Sequence, residues 1–194
     1  MIVLASKSPA RAQLLRGAGV PFEVRGSGVD EAPLKRRWLA EGATPAVVAA
    51  RLADAKAEAV AGAAGAWVIG ADQTAEFERA LLDKAESPDQ ALDRLRAMRG
   101  RPHQLHSAVT LTDGRRSWRA LSTATLHVRA FSEAWLEVYA AAARSALTET
   151  VGGYELEGLG VQLFDQIEGD YFAILGLPLT ELLGAMREFG LLPE

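Results

Sequence analysis

The first side chains that could act together are Ser6, Lys7, Ser8 and Arg11, within Ile2-Val3-Leu4-Ala5-Ser6-Lys7-Ser8-Pro9-Ala10-Arg11. Ser8-Pro9 has the form of a helix start, a capping serine followed by proline at the first helical position. The open N–H groups of such a terminus favour Glu or Gln at the third position. Arg11 stands there instead. A cation beside the positive end of a helix, with Lys7 and two hydroxyls alongside, suits a bound phosphate. The alternative is an ordinary capped helix with Arg11 turned out to solvent. Further along lie Asp30-Glu31, an acidic pair leaving a Gly26-Ser27-Gly28 turn, then Lys56, Asp72 and Lys84. The pair reads as solvated loop charge or as metal ligands. Lys56 continues the stripe Val48, Leu52 at intervals of four, so it either snorkels to the rim or holds a carboxylate or anion. Asp72 ends the apolar run Trp67-Val68-Ile69-Gly70, and a carboxylate at the C-terminal end of a buried strand is where α/β sheets place reactive groups. A turn-capping role is the other reading.

The elements that must position these residues follow from patterning. Ile2 to Ala5 is a short buried strand running straight into the first helix, which Gly17 and Gly19 end. Val20 to Val24 reads as a second strand, and Thr44-Pro45 opens a helix extending to about Val60. Ser87-Pro88 caps another, with Ala91, Leu92, Leu95 and Met98 on one face and Gly100 as its stop. His103 to Thr112 is a strand on which His103 and His106, an odd number apart, point to opposite sides, which argues against a shared metal. Asp113-Gly114 turns it into a return strand from Leu121 to Phe131. Ser132 caps a helix through Trp135, Leu136 and Tyr139. Gly152, Gly153, Gly158 and Gly160 mark close backbone approaches to a ligand or to another segment. Val161 to Ile167 and Tyr171 to Leu175 read as a hairpin around Glu168-Gly169-Asp170, and Thr180 as the cap of a last amphipathic helix. The expectation is α/β: a mixed sheet flanked by helices.

The chain has 194 residues, 49% of them hydrophobic, enough for one substantial core. One domain over 1–194, with or without two lobes around a cleft, is expected. The formal net charge of -4 argues against a nucleic-acid backbone as the main partner. No cysteine is present, which excludes disulfides, thiol catalysis and cysteine-ligated zinc. The first apolar run is too short for a signal peptide and no later one approaches membrane-spanning length, so a cytoplasmic protein without a membrane partner is expected.

Taken in order, Leu4-Ala5-Ser6-Lys7-Ser8-Pro9-Ala10-Arg11, Val29-Asp30-Glu31, Lys56, Gly70-Ala71-Asp72-Gln73, Lys84, Gly100-Arg101-Pro102-His103, Gly158-Leu159-Gly160, Glu168-Gly169-Asp170-Tyr171 and Gly176-Leu177-Pro178-Leu179 resemble the Maf family end to end. The resemblance implies an elongated α/β fold with a nucleotide cleft over a mixed sheet, and a nucleoside triphosphate pyrophosphatase, often a homodimer, that hydrolyses an NTP to NMP and pyrophosphate with Mg²⁺ or Mn²⁺. It assigns the phosphate tail to Ser8 and Arg11, with Ser6 beside them. It also implies charge neutralisation by Lys56 and Lys84, the attacking water to Asp72, and metal binding to Asp72 and Glu31. Three positions sort substrates in such proteins, here Ala10, Gln73 and Glu157. Gln73 with Glu157 resembles the 7-methyl-GTP branch more than the dTTP/UTP branch, because a carboxylate suits the N–H donors of a guanine edge. Two positions depart from the pattern: Ala10 is smaller than its counterpart in either branch, and Thr150 stands where the dTTP/UTP branch tends to have Lys. The rival expectations are a nucleotide-binding regulator of cell division with little turnover, and a phosphatase of small sugar phosphates.

Overall fold

The computed structural model describes residues 1–61 and 65–193. They form two compact units: Met1–Gln73, His106–Thr123 and Asp170–Glu194 in unit 1, Thr74–Leu105 and Ala124–Gly169 in unit 2. The fold is α/β, as expected. Its strands are β1 (Ile2–Leu4), β2 (Glu23–Val24), β3 (Trp67–Phe77), β4 (Ala80–Leu82), β5 (Pro102–Thr112), β6 (Ser117–Val128) and β7 (Phe164–Glu168). Its helices are α1 (Pro9–Gly17), α2 (Glu31–Ala40), α3 (Pro45–Val60), α4 (Pro88–Met98), α5 (Glu133–Ala142), α6 (Arg144–Glu149), α7 (Tyr171–Ile174) and α8 (Leu179–Glu188). The sheet order is β2-β1-β3-β5-β6-β7, with β4 also on β3. Pairing is mixed: β1 runs parallel to β2 and β3, whereas β4 is antiparallel to β3 and β7 to β6.

Unit 1 is organised by β1, fully enclosed because its neighbours on both edges are parallel strands. Alternate residues then sort to opposite faces. Ile2, Leu4, Trp67, Ile69 and Ala71 pack with Ala12 and Leu15 of α1 and with Leu182, Ala185 and Met186 of α8. Val3, Ala5 and Val68 face the other way, onto Ala57 of α3. Gly70 lies on that second face. A Cβ there would sit 2.7 Å from the Ala57 Cβ and collide with the Ala53 carbonyl, so α3 rests directly on the β3 backbone. The stripe Ala49, Ala53 and Ala57 permits that approach, every member being fully buried.

In unit 2, α4, α5 and α6 pack on one another, burying Leu95, Met98, Leu136, Tyr139 and Leu147. The glycines of the 152–160 stretch serve this unit's own chain. A Cβ on Gly152 would run into the Tyr154 ring, and one on Gly160 into the Glu155 carbonyl.

Proline-following caps form as read: the hydroxyls of Ser8, Thr44 and Ser87 accept from the N–H groups of Arg11, Val47 and Gln90. Other readings are corrected. The second strand is only Glu23–Val24, since Pro21 offers no N–H to a ladder. Asp30 precedes a helix rather than a loop. The return strand runs Ser117–Val128, earlier than Leu121 to Phe131. Residues 171–174 are helical, because the Asp170 carboxylate accepts from the Ala173 N–H at 2.7 Å and starts a turn where a strand was expected. The last helix begins at Leu179 after Pro178, without a Thr180 cap. Among the described residues no helix is long and apolar enough to cross a membrane.

Candidate active site

The site in unit 1 begins where β1 leaves β3. The last rung between them is Leu4 beside Ile69, followed by the Ala5 N–H donating to the Ile69 carbonyl at 2.8 Å. The next carbonyl on that edge, Ala71, would go unpaired, and a buried acceptor without a donor is costly. Arg11 supplies the donor: Nη1 bonds the Ala71 carbonyl at 3.0 Å and the Ser6 hydroxyl at 3.1 Å, while Nε bonds the Gly176 carbonyl at 2.8 Å. Arg11 is 8% exposed, so it does not swing out to solvent. Burial pushes its guanidinium below the ordinary value, opposed by the charges of Asp72 and Glu31, and the group keeps its charge as arginine does in proteins. Nη2 is left outside these bonds. Ser8 is half-buried at the cap, and its N–H donates to the Ser6 hydroxyl.

Asp72 is not at a strand end: β3 continues to Phe77. The polar pair Asp72-Gln73 stays in the ladder because both side chains find partners, one on each face. Asp72 turns toward α3, where Lys56 Nζ donates to its Oδ1 at 2.6 Å. Lys56 also meets Glu31 Oε1 at 2.7 Å. Lys56 therefore bridges two carboxylates instead of snorkelling, and both it and Asp72 are buried. Glu31 is at the first turn of α2, where an acidic side chain is favoured, and its other oxygen lies 3.9 Å from Lys35. Burial raises the Asp72 carboxyl above its usual range, an effect that the charges of Lys56 and Arg11 only partly offset. Partial burial pushes Glu31 upward too, but there the hydrogen bond and charge of Lys56 prevail and hold it low. Asp72 Oδ2 is buried without a hydrogen-bond partner among the described residues. Two hard oxygen donors, one of them unsatisfied, fit Mg²⁺ or Mn²⁺.

Gln73 points to the opposite face. Its Nε2 donates to Ser107 Oγ at 2.9 Å, the Ala173 carbonyl at 3.0 Å and the Ile174 carbonyl at 2.9 Å. Ala10, on α1, is partly exposed. Ser6, Ser8, Ala10, Arg11, Glu31, Lys56, Asp72 and Gln73 all belong to unit 1, whereas Lys84 and Glu157 belong to unit 2. Lys84 is exposed in the loop after β4, and Glu157 is exposed in the turn 156–158. His103 and His106 have separate partners, Tyr154 and Thr123 respectively.

Three participants escaped the sequence reading. The carbonyls of Ala71 and Gly176 carry no side-chain signal. Ser107 did carry one, as a small polar residue on the strand face otherwise made of Leu105, Val109 and Leu111.

A family model described as "Maf-like protein" matches residues 1–189. A curated relative from Caulobacter vibrioides, named nucleoside triphosphate pyrophosphatase, is 51% identical over 98% of this chain and 96% of its own. One of the same name from Maricaulis maris is 49% identical over 99% and 98%. A third, from Rhizobium meliloti, is named 7-methyl-GTP pyrophosphatase and is 43% identical over 98% and 96%.

Proposed function

This chain belongs to the Maf family, and on that footing we propose that it is a nucleoside triphosphate pyrophosphatase, a hydrolase releasing pyrophosphate and the NMP from an NTP. The observation that carries the reading is Lys56 bridging the buried Asp72 and the partly exposed Glu31, with Arg11 of α1 tethered to the carbonyl of Ala71, one residue before Asp72. Two cations against two carboxylates leave no net positive charge for a triphosphate. A divalent cation held by Asp72 and Glu31 supplies that charge and polarises the phosphate oxygens when bound.

The side chains divide the remaining work. Arg11 offers Nη2, and Ser8 its hydroxyl, to the phosphate tail. Lys56 fixes Asp72 through Oδ1 and offsets charge as it shifts toward the departing pyrophosphate. Asp72, whose carboxyl burial raises above its usual range, orients the attacking water and receives its proton. The roles implied by resemblance for Lys84, on the polyphosphate, and for Glu157 and Ala10, toward the base, are part of the proposal. So is a preference for 7-methyl-GTP over dTTP and UTP, supported by the name of the Rhizobium meliloti relative. A cytoplasmic homodimer is also proposed, and light scattering at twice the mass of one 20.7 kDa chain tests the dimer.

The decisive assay is pyrophosphate release across an NTP panel including 7-methyl-GTP. Wild type with Mg²⁺ or Mn²⁺ releases pyrophosphate, a chelator stops it, and Asp72→Asn loses at least about a hundredfold in kcat while unfolding cooperatively. Equal inactivity of wild type and Asp72→Asn on every nucleotide sinks the proposal. Orthophosphate as the first product assigns the protein to another class of phosphatase.

A further inference from the structure

The alanine ridge that seats α3 on the sheet, Ala49, Ala53 and Ala57, has little relief, so by itself it only weakly opposes a roll of the helix about its axis. Two polar contacts flank it. Asp54 follows Ala53 and Lys56 precedes Ala57, so at about 100° per residue their side chains leave the ridge on opposite sides. On one side Lys56 reaches Asp72 of β3 and Glu31 of α2. On the other, Asp54 Oδ1 accepts from Thr110 Oγ1 of β5 and from Arg119 Nε of β6, each at 2.7 Å. Thr110 shares a strand face with Ala108, which packs on Ala49 and Ala53. All of these residues belong to unit 1. The two donors differ in weight. The Arg119 side chain is 55% exposed, where an ion pair contributes little. The Thr110 hydroxyl is buried and spends its proton on Asp54, so loss of that bond strands a polar group in the interior.

We propose that Asp54 is a positioning residue: by fastening α3 to Thr110 it fixes the roll of the helix, and so holds the Lys56 ammonium between Asp72 and Glu31. The leverage is large. A roll of about 10° moves a side-chain tip about 6 Å from the helix axis by about 1 Å. The 2.6 Å bond from Lys56 to Asp72 does not survive that. Arg11 is fixed from α1 by the carbonyls of Ala71 and Gly176 and does not depend on α3. Loss of the Asp54 latch therefore falls on kcat rather than on KM. This kinetic consequence rests on the pyrophosphatase reading, whereas the structural one rests on unit 1 geometry alone.

Two measurements on the full chain test this. In turnover well below the unfolding midpoint, Asp54→Ala lowers kcat by about tenfold and leaves KM within about twofold, whichever nucleotide is used. Asp54→Asn keeps an oxygen for Thr110 and Arg119, and restores kcat to within about twofold of wild type. An unchanged kcat in Asp54→Ala overturns the proposal. So does an Asn variant as slow as the Ala variant, because charge rather than attachment would then be at work. In substrate-free protein, urea denaturation closes a cycle with Lys56→Met. Independent sites add, but here the midpoint drop caused by Lys56→Met shrinks by about half once Asp54→Ala has freed the helix. Full additivity overturns the proposal whatever the activity. Where Asp54→Ala does not fold, Thr110→Val, which removes the donor at nearly constant volume, takes its place in both measurements. A wild type that releases no pyrophosphate while the cycle stays non-additive overturns the pyrophosphatase reading and leaves the latch standing.

Discussion

At the scale of single residues, Lys56 has the most to lose. Its ammonium is taken out of water and compensated by Asp72 and Glu31 at 2.6 and 2.7 Å. Removing one partner of a buried charge set strands the others. Lys56→Met should therefore cost about 3 kcal/mol in urea denaturation, and Asp72→Asn added to Lys56→Met should recover part of that loss. Full additivity of the two would mean that the pair is not coupled. Lys56 stood out because it falls on an otherwise apolar stripe with Val48 and Leu52, but the stripe alone left snorkelling open beside a carboxylate or anion partner. Arg11 was legible as a misfit at its helix start. Its partners were not, because two of the three are backbone carbonyls that only the closed fold brings near. Gln73 reads as lying past the end of the strand, so the alternation that sets it opposite Asp72, once the strand runs on to Phe77, is not applied to it.

At the scale of elements, the contact that matters is α3 lying on β3 at Gly70. This contact sets how close Lys56 comes to Asp72, so backbone spacing and charge spacing are one quantity. Gly70→Ala forces α3 outward and should destabilise unit 1 by about 1–3 kcal/mol. It should also lower kcat, even though Gly70 touches no substrate. An unchanged unfolding midpoint would refute the close-approach account. Elements opened by a hydroxyl cap and proline, α1, α3 and α4, were readable because local chemistry alone fixes their starts. α2 hid behind Asp30-Glu31 and a proline in its first turn, which that turn tolerates because it donates no helical bond there. Tyr171 to Ile174 looked like strand by composition, and Asp170 decided otherwise through one side-chain bond.

At the scale of the whole molecule, pH acts through unit 2 as well as through the site. Burial lowers the His103 imidazole from 6.5 to about 4, and its Nε2 lies 2.6 Å from the Tyr154 hydroxyl. The folded form thus refuses a proton that the unfolded chain accepts. This stabilisation is complete above pH 6.5 and is lost as pH falls toward 4, about 3 kcal/mol in all. Urea midpoints should drop through that window, and His103→Gln should flatten the profile there; parallel profiles would rule His103 out as the cause. The Arg11–Gly176 bond has a different bearing, on the order in which the polypeptide is made. Its partners are 165 residues apart, so during vectorial synthesis the guanidinium waits for all the intervening chain to be made before this carbonyl arrives. A ribosome that stalls before Gly176 leaves a fragment whose Arg11 lacks this acceptor, and the nucleotide pool meets a working hydrolase only once that residue has been added.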